Sequence, residues 1–106
     1  MKRNLDDALL HRRSYYALSA ESLVSDAQIE SCLRFAIKHV PSAYNSQSTR
    51  LVLLLREHHT ALWQMVERAL QARVPVEDFP RTKAKIETAF ASGYGTILFY
   101  EDMAVV

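Results

Sequence analysis

Two apolar runs, each too short to be a helix, constrain this chain more than anything else in it. Thr49 to Arg56 encloses Leu51-Val52-Leu53-Leu54-Leu55, and Gly95 to Tyr100 reads Gly-Thr-Ile-Leu-Phe-Tyr; both are apolar on two faces, as strands buried in a sheet are. A crossover of about 40 residues separates them, long enough to hold two helices, which fits neighbouring parallel strands in an α/β or α+β layer. Gly numbers two and Pro three, so long flexible linkers and multi-turn all-β folds are both disfavoured. Two strands still make a poor sheet. Thr96, Leu98 and Tyr100 on one side, and Ile97 and Phe99 on the other, need two covers. The sequence closes on Met103-Ala104-Val105-Val106, apolar residues just past a strand. The expectation is that these residues are the first part of a longer domain, or that the missing strands come from a partner chain.

The remaining segments read as helices. Leu5, Ala8 and Leu9 take helical spacing over residues 4–12. Ser25-Asp26-Ala27-Gln28 is a capping-box pattern, a hydroxyl that takes an amide proton and a Gln three residues on that returns the bond. From it runs the stripe Ile29, Cys32, Leu33, Ala36, Ile37, Val40, which Pro41 ends. Leu62, Met65, Val66, Ala69 and Leu70 place a third helix over about Thr60 to Arg73, stopped by Pro75. Pro80 suits a first helical turn, and Ile86, Ala89 and Phe90 give the fourth helix an apolar face that finishes at Gly93. The order is helix, helix, strand, helix, helix, strand, without internal repeats.

The 106 residues suit a single domain. Hydrophobic residues at 49% and charged residues at 24% are enough for a packed core. Lys and Arg number 13 against 12 Asp and Glu, spread evenly along the chain. This balance lacks the basic footprint of a nucleic-acid binder or a polybasic membrane anchor. No apolar run approaches the roughly 20 residues that cross a bilayer, and acidic Asp6-Asp7 stand where a secretory leader would be apolar. The single cysteine, Cys32, has no partner within the chain. A cytoplasmic, reduced protein is expected.

The sequence contains no metal-binding His-Glu-x-x-His helix, Gly-x-Ser-x-Gly elbow, Cys-x-x-Cys or glycine-rich phosphate loop. Adjacent His58 and His59 read as a solvated turn rather than metal ligands. Cys32 reads as a small buried hydrophobe. His11 and His39 sit where a helix end favours them, and Trp63 and the Tyr15-Tyr16 pair read as core. Two segments carry more chemistry. In His11-Arg12-Arg13-Ser14, two guanidiniums and a hydroxyl form a receptor for phosphate or carboxylate, although arginines there also complement a helix end. Pro41-Ser42-Ala43-Tyr44-Asn45-Ser46-Gln47-Ser48-Thr49 packs seven hydrogen-bonding side chains into one loop between a helix and a strand. Binding residues tend to occupy such loops; a solvated connector would use similar residues.

Taken in order, Arg12-Arg13-Ser14-Tyr15-Tyr16-Ala17-Leu18 and Val40-Pro41-Ser42-Ala43-Tyr44-Asn45-Ser46-Gln47-Ser48 resemble the two flavin-binding signatures of the nitroreductase family. Gly93-Tyr94-Gly95-Thr96-Ile97-Leu98-Phe99-Tyr100-Glu101-Asp102 resembles the strand in the middle of those proteins, and the likeness is greatest to the branch of the yeast fatty-acid-repression-mutant homologues. The resemblance covers nearly the whole chain but about half of a family member. It implies an α+β, nitroreductase-like fold with helices packed on a small central sheet, truncated, so that residues 1–106 are the N-terminal portion of a single FMN-binding domain. It further implies FMN as cofactor, with Arg12, Arg13 and Ser14 on its phosphate and ribityl chain. Pro41, Ser42, Asn45 and Gln47 would lie against the flavin across a homodimer interface. The activity implied is NAD(P)H-dependent reduction of a nitroaromatic, quinone or similar small acceptor, with the flavin carrying the hydride and no side-chain acid or base needed. The alternative is a truncated or regulatory non-catalytic relative that retains the fold and dimer surface. A small helical nucleic-acid binder has only Arg12, Arg13 and Arg50 in its favour.

Overall fold

The structure is a computed structural model that describes residues 3–104; Val105 and Val106 of the apolar C-terminal end lie outside the described residues. Helix α1 spans Leu5–His11, and the Asn4 side chain caps it by accepting the Asp7 amide at 2.8 Å. Helix α2, Asp26–His39, begins with the reciprocal bonds expected of its capping box: Gln28 N to Ser25 Oγ at 3.1 Å and Ser25 N to Gln28 Oε1 at 2.8 Å. Val40 is already extended before Pro41. Strand β1 spans Thr49–Leu55, α3 Glu57–Gln71, α4 Phe79–Ala89 with Pro80 in its first turn, and β2 Gly95–Glu101. The six elements stand in the order that the hydrophobic periodicity gives.

The two strands are neighbours, but they run antiparallel, so the expectation of a parallel pair is corrected. Leu55 faces Gly95, Leu53 faces Ile97 and Leu51 faces Phe99. One helix between two strands returns the chain to the starting end of the sheet and gives parallel neighbours. Two helices packed against each other run out and back, and β2 therefore starts beside the end of β1. Gly95 makes this close start possible. A Cβ there would lie 2.8 Å from the Leu54 carbonyl oxygen and 2.6 Å from Leu55 Cδ2.

Cross-strand partners share a face, so Leu51, Leu53, Ile97 and Phe99 line one side of the sheet and Val52, Leu54, Thr96 and Leu98 the other. Helix α2 packs against β1 on the first side, and α3 bonds to Thr96 on the second. Both covers called for by the strand pattern are present, yet they close incompletely. Among the described residues only Ile86, Gly93, Ser48 and His59 are buried, and most of β2 is exposed rather than enclosed. The accessible surface is 9026 Å², against about 6,000 Å² for a compact monomer of this mass. The radius of gyration is 16.8 Å, against about 13 Å for a compact domain of this length.

Several single-residue expectations change. Cys32 is exposed on α2 rather than buried. Tyr15 and Tyr16 are exposed rather than in the core. His58 and His59 both lie in the first turn of α3; His58 is exposed, as a solvated position should be, but His59 is buried. Trp63 does pack as read, half-buried and stacked on Phe90 with ring centroids 5.0 Å apart.

Candidate functional site

Between α2 and β1 the chain turns within nine residues. Residues Ala43–Asn45 form a single 3-10 turn, and Tyr44, Asn45 and Gln47 hold φ values of 52°, 53° and 54°. The left-handed region costs a residue with a Cβ about 1–2 kcal/mol, least for Asn. Local bonds hold the loop in that shape. Ser42 Oγ accepts the Gln47 amide at 3.0 Å, and Gln47 Nε2 donates to Asn45 Oδ1 at 3.2 Å. The far end of the loop is fastened to the end of β2. Buried Ser48 bonds Glu101 Oε2, Thr49 Oγ1 donates to Glu101 Oε1 at 3.1 Å, and the Asp102 amide donates to the Ser48 carbonyl at 2.8 Å. Arg50 adds a clamp, donating to the carbonyls of Gln47 at 3.0 Å and Thr49 at 3.1 Å, with Asp102 Oδ2 at 3.4 Å.

This loop forms the wall of a cavity of about 650 Å³, within the range typical of ligand sites. Ile37 of α2, Val40 just after it, and Leu51 and Phe99 of the sheet supply its apolar side; Pro41, Ser42, Asn45, Gln47 and Thr49 supply the loop side. The structure therefore brings together the four loop residues singled out in the sequence. The intraloop bond uses the Asn45 side-chain oxygen and one Gln47 Nε2–H, leaving the Asn45 amide NH2 as donor and the Gln47 side-chain oxygen Oε1 as acceptor with no other partner among the described residues. A donor beside an acceptor matches the edge of a heterocyclic imide.

Arg12, Arg13 and Ser14 are not in that cavity. They follow α1 on an exposed, extended stretch. Arg13 Nη1 folds back on the carbonyls of Leu10 and Arg12, at 2.9 and 2.8 Å, while Arg12 Nη1 reaches Ser14 Oγ at 3.4 Å. Each guanidinium retains N–H groups that bond nothing among the described residues. The chemistry suits a phosphate, but in one chain the arginines and the loop stay apart.

Sequence reading missed Lys38 and Arg50, the two cations that line the cavity. Only their flanking of the polar loop could have drawn attention to them. It also missed a group fastening α2 to the strand ends. Tyr94 OH donates to Asp26 Oδ1 at 2.5 Å, and Arg56 Nη1 donates to Asp26 Oδ2 at 2.8 Å. The Tyr94 hydroxyl, then the Arg56 guanidinium, hold the Asp26 carboxyl below the usual carboxylate range. Tyr94 in turn is pushed up, chiefly because its hydroxyl donates to Asp26. These three residues stand outside the cavity lining and act on the frame. Among the described residues no His, Cys, Asp and Glu cluster could hold a metal, and no helix is long and apolar enough to cross a membrane.

A model of the nitroreductase family matches residues 9–105. HBN1 of Saccharomyces cerevisiae is 30% identical over 96 residues, covering 89% of this chain and 46% of that protein. The nitroreductase FRM2 of the same yeast is 26% identical over 101 residues, covering 93% of this chain and 49% of its own. Among solved structures, nitroreductase CinD from Lactococcus lactis in complex with chloramphenicol superposes with a TM-score of 0.78 at 31% identity, covering 96% of this chain and 50% of CinD. A nitroreductase crystal structure from Saccharomyces cerevisiae gives 0.76 at 26% identity, covering 93% of this chain and 53% of that one. The chain spans about half the length of the curated relatives it matches.

Proposed function

The chain belongs to the nitroreductase family, and from that premise we propose that it is the N-terminal portion of an FMN-binding domain whose flavin lies between two copies of the protein. In this reading Arg12, Arg13 and Ser14 of one subunit hold the FMN phosphate and ribityl chain. Pro41, Ser42, Asn45 and Gln47 of the other lie against the isoalloxazine ring. The observation that carries it is the separation of the two signatures. The loop signature lines a preformed cavity, while the arginine signature stands exposed outside it. A site completed by a second copy needs that arrangement; a site built within one chain would need the two to converge.

The residues fit the group. Two guanidiniums with spare N–H donors and a hydroxyl match a phosphate dianion. The free Asn45 donor and Gln47 acceptor match the imide edge of the ring, and Pro41 gives it an apolar surface. When bound, FMN accepts hydride from NAD(P)H and passes two electrons to a small acceptor, a nitroaromatic or quinone. The chain's own part is to bind, orient and shield. CinD has been solved with chloramphenicol, with nicotinic acid and with 4-nitrophenol, each of which contains an aromatic ring, and this supports a ligand with an aromatic ring here.

Titrating FMN into the wild-type protein and into Arg12→Ala tests the assignment. Loss of a charge-assisted bond of about 1.5–3 kcal/mol weakens FMN roughly ten- to a hundredfold in Kd. Arg34→Ala, on α2 and paired among the described residues only with Glu30 of its own helix, leaves it unchanged. Equal FMN affinity in wild type and Arg12→Ala would remove the arginine site. Absence of FMN binding altogether would favour a non-catalytic relative that retains only the fold.

A further inference from the structure

Glu101, the last residue of β2, takes no part in the cavity lining or in any ion pair among the described residues. Both of its carboxylate oxygens go to the loop. Oε2 accepts from the Ser48 hydroxyl, and Oε1 accepts from Thr49 Oγ1 at 3.1 Å, directly across the strand pair. Ser48 is 2% exposed. Its one hydroxyl proton goes to a carboxylate that can only accept, so in its 3.1 Å contact with Ser46 Oγ it is Ser46 that donates. The hydroxyl chain thus runs one way, from Ser46 through Ser48 to the end of β2. The need for such a tie lies a few residues upstream. Tyr44, Asn45 and Gln47 hold left-handed backbone, which persists only where the surroundings over-determine it. The bonds within the loop, Gln47 N to Ser42 Oγ and Gln47 Nε2 to Asn45 Oδ1, are both exposed, and water competes for such bonds, so their net contribution is small. The loop's buried anchor is Ser48, and Glu101 is the group that orients it.

We propose that Glu101 is a positioning residue: through Ser48 and Thr49 it holds the loop in the shape that presents Asn45 and Gln47, and so sets the affinity for the flavin ring without touching it. The inference rests on the reading of the loop as the ring side of an FMN site, and it adds a residue that neither flavin-binding signature contains. Removing the carboxylate leaves the Ser48 hydroxyl with Ser46 alone, a residue of the same loop. The Asp102 amide still bonds the Ser48 carbonyl at 2.8 Å, and the strand pairing is untouched, so the fold persists while the loop is freed. Glutamine has the same length as glutamate. Its Oε1 accepts from Ser48 and its Nε2–H donates to the Thr49 hydroxyl, so Glu101→Gln keeps both ties without the charge.

The first measurement needs no flavin. Amide hydrogen exchange of Gln47, whose N–H is held by Ser42 Oγ at 3.0 Å, is followed by NMR in wild type, Glu101→Ala and Glu101→Gln, with the α3 amides as the control for global stability. Glu101→Ala should quicken exchange at Gln47 about three- to tenfold, as the net loss of one hydrogen bond does, and leave α3 unchanged; Glu101→Gln should restore the wild-type rate. Ser48→Ala removes the same tie from the loop side and should free Gln47 in the same way, which decides the matter if Glu101→Ala does not fold. The second measurement titrates FMN and riboflavin, which lacks the phosphate. Glu101→Ala should weaken both by the same factor and Glu101→Gln should bind both as wild type does, whereas Arg12→Ala should weaken FMN alone. Gln47 exchange that stays at the wild-type rate, equal losses in Glu101→Ala and Glu101→Gln, or riboflavin affinity that survives a freed loop would overturn the inference. Freed Gln47 exchange with no flavin uptake by the wild type, or an Arg12→Ala that weakens riboflavin as much as FMN, would instead contradict the proposed function and leave Glu101 as the tether of the loop.

Discussion

The Asp26 carboxylate joins three points far apart in sequence: the start of α2, Arg56 where β1 turns directly into α3, and Tyr94 just before β2. Arg56 has φ 51° and ψ −121°, a conformation that favours glycine, so its bond to Asp26 holds the sharpest turn of the frame. The folded pKa of Asp26 lies below its ordinary 3.8, first because Tyr94 donates to it and then because of Arg56. A depressed carboxylate contributes stability that is present above the ordinary value and is lost as pH falls through the folded one. Tyr94 is raised above 10.0, mainly by the same bond. Its contribution is present below that value and lost as pH rises through the raised one. The triad should therefore support the fold across the neutral range and fail at both extremes. Tyr94→Phe should raise the Asp26 pKa toward 3.8, read from the carboxyl carbon in an NMR titration, and remove the alkaline limb. An unmoved Asp26 titration would show that the tyrosine bond does not set it.

His59 does for α3 what Asp26 does for α2. Its Nε2 lies 3.0 Å from the Ala91 carbonyl, which can only accept, so in the neutral ring Nε2 carries the proton and Nδ1 accepts from Thr96 Oγ1 at 2.7 Å. The Thr96 oxygen in turn receives Trp63 Nε1–H at 2.8 Å. The bonds run one way, from indole to hydroxyl to imidazole to backbone, and stitch α3 to β2 and to the residues leaving α4. Thr96→Val would strand Trp63 Nε1 and His59 Nδ1 without a partner, and should cost about 1–3 kcal/mol in urea unfolding. Thr96→Ser should restore most of it, and a neutral Thr96→Val would show that water replaces the hydroxyl. The sequence made local features of these elements readable, because caps, prolines and periodicity act within a few residues: the Ser25–Gln28 box, the stop at Pro41 and Pro80 in the first turn of α4 all stand where read. It did not reveal the strand direction, buried His59 or exposed Cys32. Each of these depends on what lies across the fold. The loop signature was readable as a cluster of polar residues, whereas Lys38 joins the cavity only through the way α2 lies on the sheet.

The molecule as a unit exposes about half as much surface again as a compact monomer would. The excess, about 3,000 Å² on one chain, is more than the roughly 1,000–2,500 Å² that each partner contributes to a large obligate interface. It is also apolar where it matters to the proposed site. Leu5, Leu9 and Leu10 of α1 are exposed, as are Tyr15 and Tyr16, and Arg12-Arg13-Ser14 lie between these two groups. Surface of this kind on a stable protein is covered by something, and the proposed second copy would cover it while bringing the arginines to the loop cavity. Gel filtration of the freshly purified protein with visible absorbance recorded across the profile, after addition of FMN, tests this most directly. The account predicts flavin absorbance that travels with the protein, at twice the chain mass or more, and is bleached by NADH or NADPH. A colourless protein eluting as a monomer, with the added FMN emerging in the small-molecule volume, would contradict it.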